Sequence, residues 1–554
     1  MPNSTHSQAD HAGRGRGVRL LLPSADRVGG RSKLSLAQRS AITRDGLRLA
    51  LVCLACIAVA IGIDSRLASV AEPGLWYDEL HSVVRLSDTS LSRSDLIQTR
   101  LSNDPTPPLY YLLLYELKKL GMDSEFQMRL VQNALFAAGV LLLWTRLNPV
   151  PGLVVRLIQS AFLVGAYGLI YYSSELRSYS FMILLAILQS VLLLRIAFAL
   201  EKSGEVPHRW MIAFAAVSVP LTMVHYLGAI AVGTSFALLA GVLLATRRIP
   251  ALMMIMAWGF LTCLPVTAWF LATHDFGADI HPVGLLADPI FLVRQIDRFL
   301  RLVSGNIVAA LCLSILIAGA AWTAVRALMR QDAGVSVELK AAQWLGSFAL
   351  ATWASAYALT FLVLPVVSMR NLLVTAPAIY LALGCVVACW LNSNQRIARA
   401  GVVMSMLYFV TSAASPLFES NLMDMYAKKD WVASAERINA LAECAAQPIL
   451  VVAHPVGFYR YYIDHGKRIE LVPIGTPGWT ARPGDGEMQQ WVALSEGERA
   501  QARAVTRSSG CSVKMWYVPT GFVSENEALD LGAQILEPGH FELERVGNAF
   551  LFRS

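Results

Sequence analysis

Pro107-Pro108-Leu109-Tyr110-Tyr111-Leu112-Leu113-Leu114-Tyr115-Glu116-Leu117-Lys118-Lys119-Leu120-Gly121 is the stretch on which the organisation of this chain turns. It is apolar, and its proline pair pre-sets the first turn of a helix. It is only 15 residues long, however, and carries Glu116, Lys118 and Lys119, whereas a membrane-crossing helix needs about 20 apolar residues. Whether it crosses decides on which side of a bilayer every later loop lies.

The bilayer itself follows from composition. Of 554 residues, 55% are hydrophobic and 15% charged, and mean hydropathy is +0.50, far from the roughly 45–50% apolar and about 25% charged of soluble domains. Apolar stretches of spanning length fall near 47–65, 128–145, 157–172, 179–200, 210–226, 228–246, 251–271, 302–325, 343–364, 371–391 and 400–416. The expectation is a polytopic α-helical membrane protein with about 11 transmembrane helices.

Charge bias fixes the parity. If 107–121 does not cross, five loops fall on the side of the basic N-terminus: those holding Arg146 and Arg156, Lys202 and Arg209, Arg247 and Arg248, Arg326, Arg330 and Lys340, and Arg396 and Arg399. That is the positive-inside pattern, and a crossing would reverse it repeatedly. The stretch therefore reads as an interfacial or re-entrant helix on the outer face. The net charge of +7 is explained by topology, so no nucleic-acid partner is expected.

Residues 1–46 are basic and lack the apolar core of a cleaved signal, so they read as a cytoplasmic tail. Residues 47–416 form the membrane domain, with a long outer loop at 67–127. Hydropathy then falls, and 417–554 suffices for a small extracytoplasmic α/β domain, with strand-like runs at 449–453, 469–473, 513–518, 541–546 and 550–553 and helical stretches at 431–445, 496–508 and 528–536. Six cysteines lie in apolar stretches as small hydrophobes. Cys444 and Cys511 each precede a strand, and a disulfide and two free thiols both remain open.

The same parity gathers the unusual polar residues on the outer face. Trp76 and Tyr77 are headgroup-layer aromatics that hold Asp78 and Glu79 at a fixed depth; a carboxylate beside lipid serves as a general base. Asp104 precedes the proline pair, and Tyr110 and Tyr111 give the interfacial helix an apolar, aromatic surface able to admit a polyprenyl tail. Glu175, Arg177 and Tyr179 form a turn before one span, His225-Tyr226 close another, and Arg370 begins a third. Arginine on the outer side runs against the topological bias and offers several donors to a phosphate. The loop 274–301 adds charges without metal-ligand spacing, and no glycine-rich phosphate loop, zinc motif or nucleophile elbow occurs.

These motifs taken together, WYDEL at 76–80, DPTPPLYYLLL at 104–114, Arg129-Leu130, ELRSY at 175–179, HY at 225–226 and Arg370-Asn371 with Pro377, resemble the glycosyltransferase C (GT-C) superfamily. Within it, they are similar to bacterial protein O-mannosyltransferases and the aminoarabinose transferases that modify lipid A. The resemblance implies a GT-C-like membrane domain, a polyprenyl-phosphate sugar donor, and a glycolipid, polysaccharide or protein acceptor at the outer face of a bacterial inner membrane. It implies Asp78 as base or acceptor-orienting group, with Glu79 as its partner or substitute; Arg177, Arg370, Lys119 and Arg129 toward the donor phosphate; and Trp76, Tyr77, Asp104, Tyr110, Tyr111, Glu175, Tyr179, His225 and Tyr226 around the substrates. No cofactor and no metal are expected as essential. One departure stands out: relatives place Lys or His before the proline pair, where this chain has Thr106. A polyprenyl-lipid transporter or flippase is the rival reading, although transporters place charges near the midplane and these spans are almost free of them. A non-catalytic envelope assembly protein is another.

Overall fold

The computed structural model describes residues 36–71, 75, 79, 82–83, 86, 90–98, 106–273, 289–330, 335–362, 370–393, 395–415, 430–452, 470–473, 476–481, 488–493, 495–518, 525–536, 541–546 and 549–554. The described residues from Gly46 onward form one compact unit.

Helices dominate: α1 (Leu36–Ala71), α2 (Leu109–Lys119), α3 (Glu125–Leu142), α4 (Leu153–Gly165), α5 (Tyr167–Ser174), α6 (Tyr179–Ser203), α7 (His208–Val224), α8 (Tyr226–Ala245), α9 (Ile249–Thr273), α10 (Pro289–Ser304), α11 (Ile307–Arg330), α12 (Val337–Leu362), α13 (Ala376–Leu391) and α14 (Arg396–Ala413). Each of the eleven apolar stretches lies on a helix, with α4 and α5 sharing one. Among the described residues six helices are long and apolar enough to cross a membrane, or seven if the pair α4–α5, bent by 62°, is one span. α7 is apolar but shorter. This is a multi-pass membrane protein.

Burial orders the bundle. The span Asn371–Leu391 is 89% buried over its apolar window, whereas Ile249–Thr273 is 17% buried and turns Met253, Phe260, Leu261 and Leu271 outward, as a lipid-facing helix must. At the centre the Phe162 ring lies 5.8 Å from Tyr380, 5.5 Å from Tyr408 and 4.9 Å from Phe409, and the two tyrosine hydroxyls share a 3.0 Å hydrogen bond. Buried hydroxyls need partners, and these two find each other.

Ala166 takes an extended backbone between α4 and α5, and Ser412 donates to the Gly165 carbonyl freed by that break at 2.9 Å. A Cβ on Gly168 would meet the Leu302 carbonyl oxygen at 2.4 Å; only glycine lets α5 approach α10 this closely. α10 itself lies in what the sequence reads as an outer loop. Residues 274–288 lie outside the described residues, but from Pro289 the chain is helical, burying Phe299, Leu302 and Val303 while Arg294 and Arg298 stay exposed. The expected span at 302–325 correspondingly starts later, after Gly305 at φ +83°.

The C-terminal region adds α15 (Asp430–Asn439), α16 (Glu496–Ser508) and α17 (Glu525–Ile535) to a sheet in the order β2 (Glu470–Pro473), β1 (Pro448–Val452), β5 (Val513–Tyr517), β7 (Ala549–Arg553), β6 (Glu542–Val546). β1 runs parallel to β2 and β5, and β7 antiparallel to β5 and β6. A hairpin of β3 (Thr476–Ala481) and β4 (Met488–Ala493) was not expected from sequence. The alternation of strands places Ile449, Val451 and Leu551 on one apolar face and Leu450, Val452, Phe550 and Phe552 on the other. Cys444 and Cys511 are disulfide-bonded.

Candidate active site

Glu79 is fully buried, and both its oxygens are engaged. Oε1 accepts the Leu176 backbone N–H at 2.8 Å, and Oε2 faces the Arg129 guanidinium at 3.4 Å. Arg129 stands on the first turns of α3, which begins with a capping box between Ser124 and Gln127; its side chain is 2% exposed. A charge removed from water needs a partner and hydrogen bonds, and these two charges supply each other. The outer loop, the start of α3 and the turn after α5 are thus tied at one point.

Arg177, next in that turn, donates to Ser82 Oγ at 3.3 Å and to the Tyr111 hydroxyl at 3.5 Å. The neighbouring Tyr110 is buried and accepts from Gln132 Nε2 at 3.2 Å. Burial raises the Tyr110 phenol well above its ordinary range, with Arg177 opposing and Glu79 and Glu175 reinforcing the shift. Glu175 is fully buried as well.

His225 is the single residue between α7 and α8. Its Nδ1 accepts the Leu227 backbone N–H at 3.1 Å and caps α8, which leaves the proton on Nε2, on the side of Asn371. The ring also hydrogen-bonds Asn371, the residue that follows Arg370. Arg370 starts a 3₁₀ turn, Asn371–Thr375, that leads into α13.

The remaining expected residues take different places. Tyr179 packs edge-on against Tyr172 at 5.1 Å, and Tyr226 against Phe270 at 5.7 Å. Lys119 is exposed and sits 4.5 Å over the Tyr115 ring at the end of α2. Lys118 is held by the Val83 and Leu86 carbonyls at 3.3 and 3.5 Å. Trp76, Tyr77, Asp78 and Asp104 lie outside the described residues. Among the described residues no group of three or more His, Cys, Asp or Glu is gathered as metal ligands.

Sequence reading missed Ser82, Gln132 and above all Arg66. This arginine near the end of α1 is 6% exposed; it lies 3.5 Å over the Phe136 ring, donates to the Leu169 carbonyl at 3.2 Å, and also donates to Ser173 Oγ. An arginine at the far end of an apolar run is itself a signal.

A bundle bent at α4–α5, a short helix α2 and a C-terminal sheet domain frame this site. Among solved structures, the chain matches ArnT from Cupriavidus metallidurans in the apo state, with 14% identity, a TM-score of 0.53 and coverage of 90% of this chain and 97% of that one. It likewise matches ArnT from the same organism bound to undecaprenyl phosphate, with 12% identity, a TM-score of 0.52 and the same coverage. No family model and no curated protein matches the sequence. At this identity the likeness is one of fold.

Proposed function

We propose that the protein is a glycosyltransferase of the bacterial inner membrane that moves a sugar from a polyprenyl-phosphate donor to an envelope acceptor on the outer face. The observation that carries this reading is the placing of the Arg177 guanidinium among the Ser82 and Tyr111 hydroxyls, beside the buried Glu79–Arg129 pair. A guanidinium among hydroxyls offers several donors to an anion, and the ArnT fold holds undecaprenyl phosphate in another protein. For the departure at Thr106 this reading assigns the donor phosphate to Arg177 and Arg370; Arg129 meets Glu79, and Lys118 is held by loop carbonyls.

In the reaction, an acceptor hydroxyl oxygen attacks the anomeric carbon while the bond from that carbon to the phosphate oxygen breaks. The hydroxyl proton passes to Asp78, and the polyprenyl phosphate leaves with its new charge facing Arg177 and Arg370. Fixed cations aimed at developing charge lower the barrier without reorganisation. A single displacement inverts the anomeric centre. Glu79, its two oxygens already engaged, holds the adjoining backbone rather than exchanging protons.

Membranes containing the full chain, supplied with polyprenyl-phosphate sugars, test this assignment: Asp78→Asn is expected to abolish transfer while leaving expression and lipid binding intact. Full activity in that variant refutes the assigned base.

A further inference from the structure

The C-terminal domain shares its apolar layer with the pocket around Glu79. Ile449 and Val451 of β1, Trp516 of β5 and Leu551 of β7 are fully buried in one cluster with Leu75, Val83, Met128 and Leu176 of the membrane domain. Those four residues flank each part of the pocket. Leu75 and Val83 stand four positions before and after Glu79, Met128 precedes Arg129, and Leu176 carries the N–H that Glu79 accepts at 2.8 Å. Each group that holds the acid is thus next in chain to a side chain embedded in the C-terminal core.

The same layer contains the Cys444–Cys511 disulfide, whose two cysteines are fully buried. It ties the segment after α15 to the entrance of β5. Trp516, also in this layer, donates from its indole N–H to Ser434 Oγ of α15 at 3.0 Å. The opposite face of the sheet is closed separately by Ala502 of α16 and Ala528 and Ile535 of α17, so the disulfide lies in the layer that faces the pocket.

We propose that the disulfide-bridged C-terminal domain is a clamp that positions Glu79, acting through Leu75, Val83, Met128 and Leu176. The clamp's consequence for sugar transfer rests on the functional reading above; the positioning itself does not. Interdigitated cores are close-packed and transmit displacement, and loosening one side of the layer frees the Leu176 amide from the Glu79 carboxylate.

Hydrogen–deuterium exchange on the full chain in lipid nanodiscs tests this, comparing wild type, Cys444→Ala/Cys511→Ala, and Met128→Gln, which leaves the disulfide intact. Expected is exchange at least tenfold faster at the Leu176 amide in both variants, with α6 unchanged and wild-type behaviour retained by Met128→Leu. In a transfer assay both variants are expected to lose kcat at least tenfold with little change in donor KM. Wild-type exchange at Leu176 in the Met128→Gln protein overturns the clamp, even if the cysteine variant fails to fold. A wild-type chain that transfers no sugar overturns the functional reading instead and leaves the exchange comparison standing.

Discussion

At the level of single residues, the buried pair Glu79 and Arg129 separates stability from chemistry. Removing one member leaves an uncompensated buried charge, at a cost of about 3–5 kcal/mol, so Arg129→Met is expected to lower the thermal midpoint sharply. Replacing both, as Glu79→Leu/Arg129→Met, is expected to restore much of that stability while transfer stays impaired, because the Leu176 amide has lost its acceptor. Thermal unfolding and turnover measured on the three proteins check this; a fully active double variant contradicts it. These residues were unequally legible in sequence. Arg177, Arg370 and His225 stood out as polar groups at span ends, but that Arg129 serves Glu79 rather than open solvent depends on a fold-level meeting across about fifty positions, which spacing cannot show.

At the level of elements, the sequence was read most securely where one physical signal dominated. The proline pair and the charges within 107–121 marked a short helix, and α2 is 11 residues long. The long apolar runs located the other helices to within a few residues. α10 was missed because its charges, Arg294, Asp297, Arg298 and Arg301, made the segment look like loop, although they alternate with apolar residues at helical spacing. The break at Ala166 was missed because it needs no proline: Ser412, distant in sequence, satisfies the freed carbonyl. Close approach of α5 to α10 makes a specific prediction here. Gly168→Ala places a methyl group against the Leu302 carbonyl and is expected to destabilise by about 1–3 kcal/mol, whereas Gly233→Ala, with open space at its Cβ, is expected to be neutral or slightly stabilising. Unfolding in mild detergent compares the two; equal stability contradicts the packing described.

At the level of the whole molecule, charge bias and composition sufficed for the class of fold, and the alternating runs after residue 448 for a small α/β domain. What they left open was the pairing of Cys444 and Cys511, because spacing does not determine which thiols meet. Closing a loop with a sequence separation of 67, the disulfide is expected to contribute about 4 kcal/mol to the stability of the domain; denaturant unfolding of Cys444→Ala/Cys511→Ala measures that loss. The gathering of outer loop, span ends and sheet domain at one end is the feature that makes a reaction on a lipid-borne substrate physically reasonable. It also sets the account apart from lipid transport, in which the donor moves intact. The chemical fate of the donor is therefore the most direct measurement. With the full chain in proteoliposomes, an isotopically labelled polyprenyl-phosphate sugar and an envelope extract as acceptor, the account predicts one free polyprenyl phosphate for each labelled sugar found on an acceptor, both lost in Arg177→Gln/Arg370→Gln. Labelled donor recovered uncleaved on the opposite leaflet, with no sugar transferred, contradicts it.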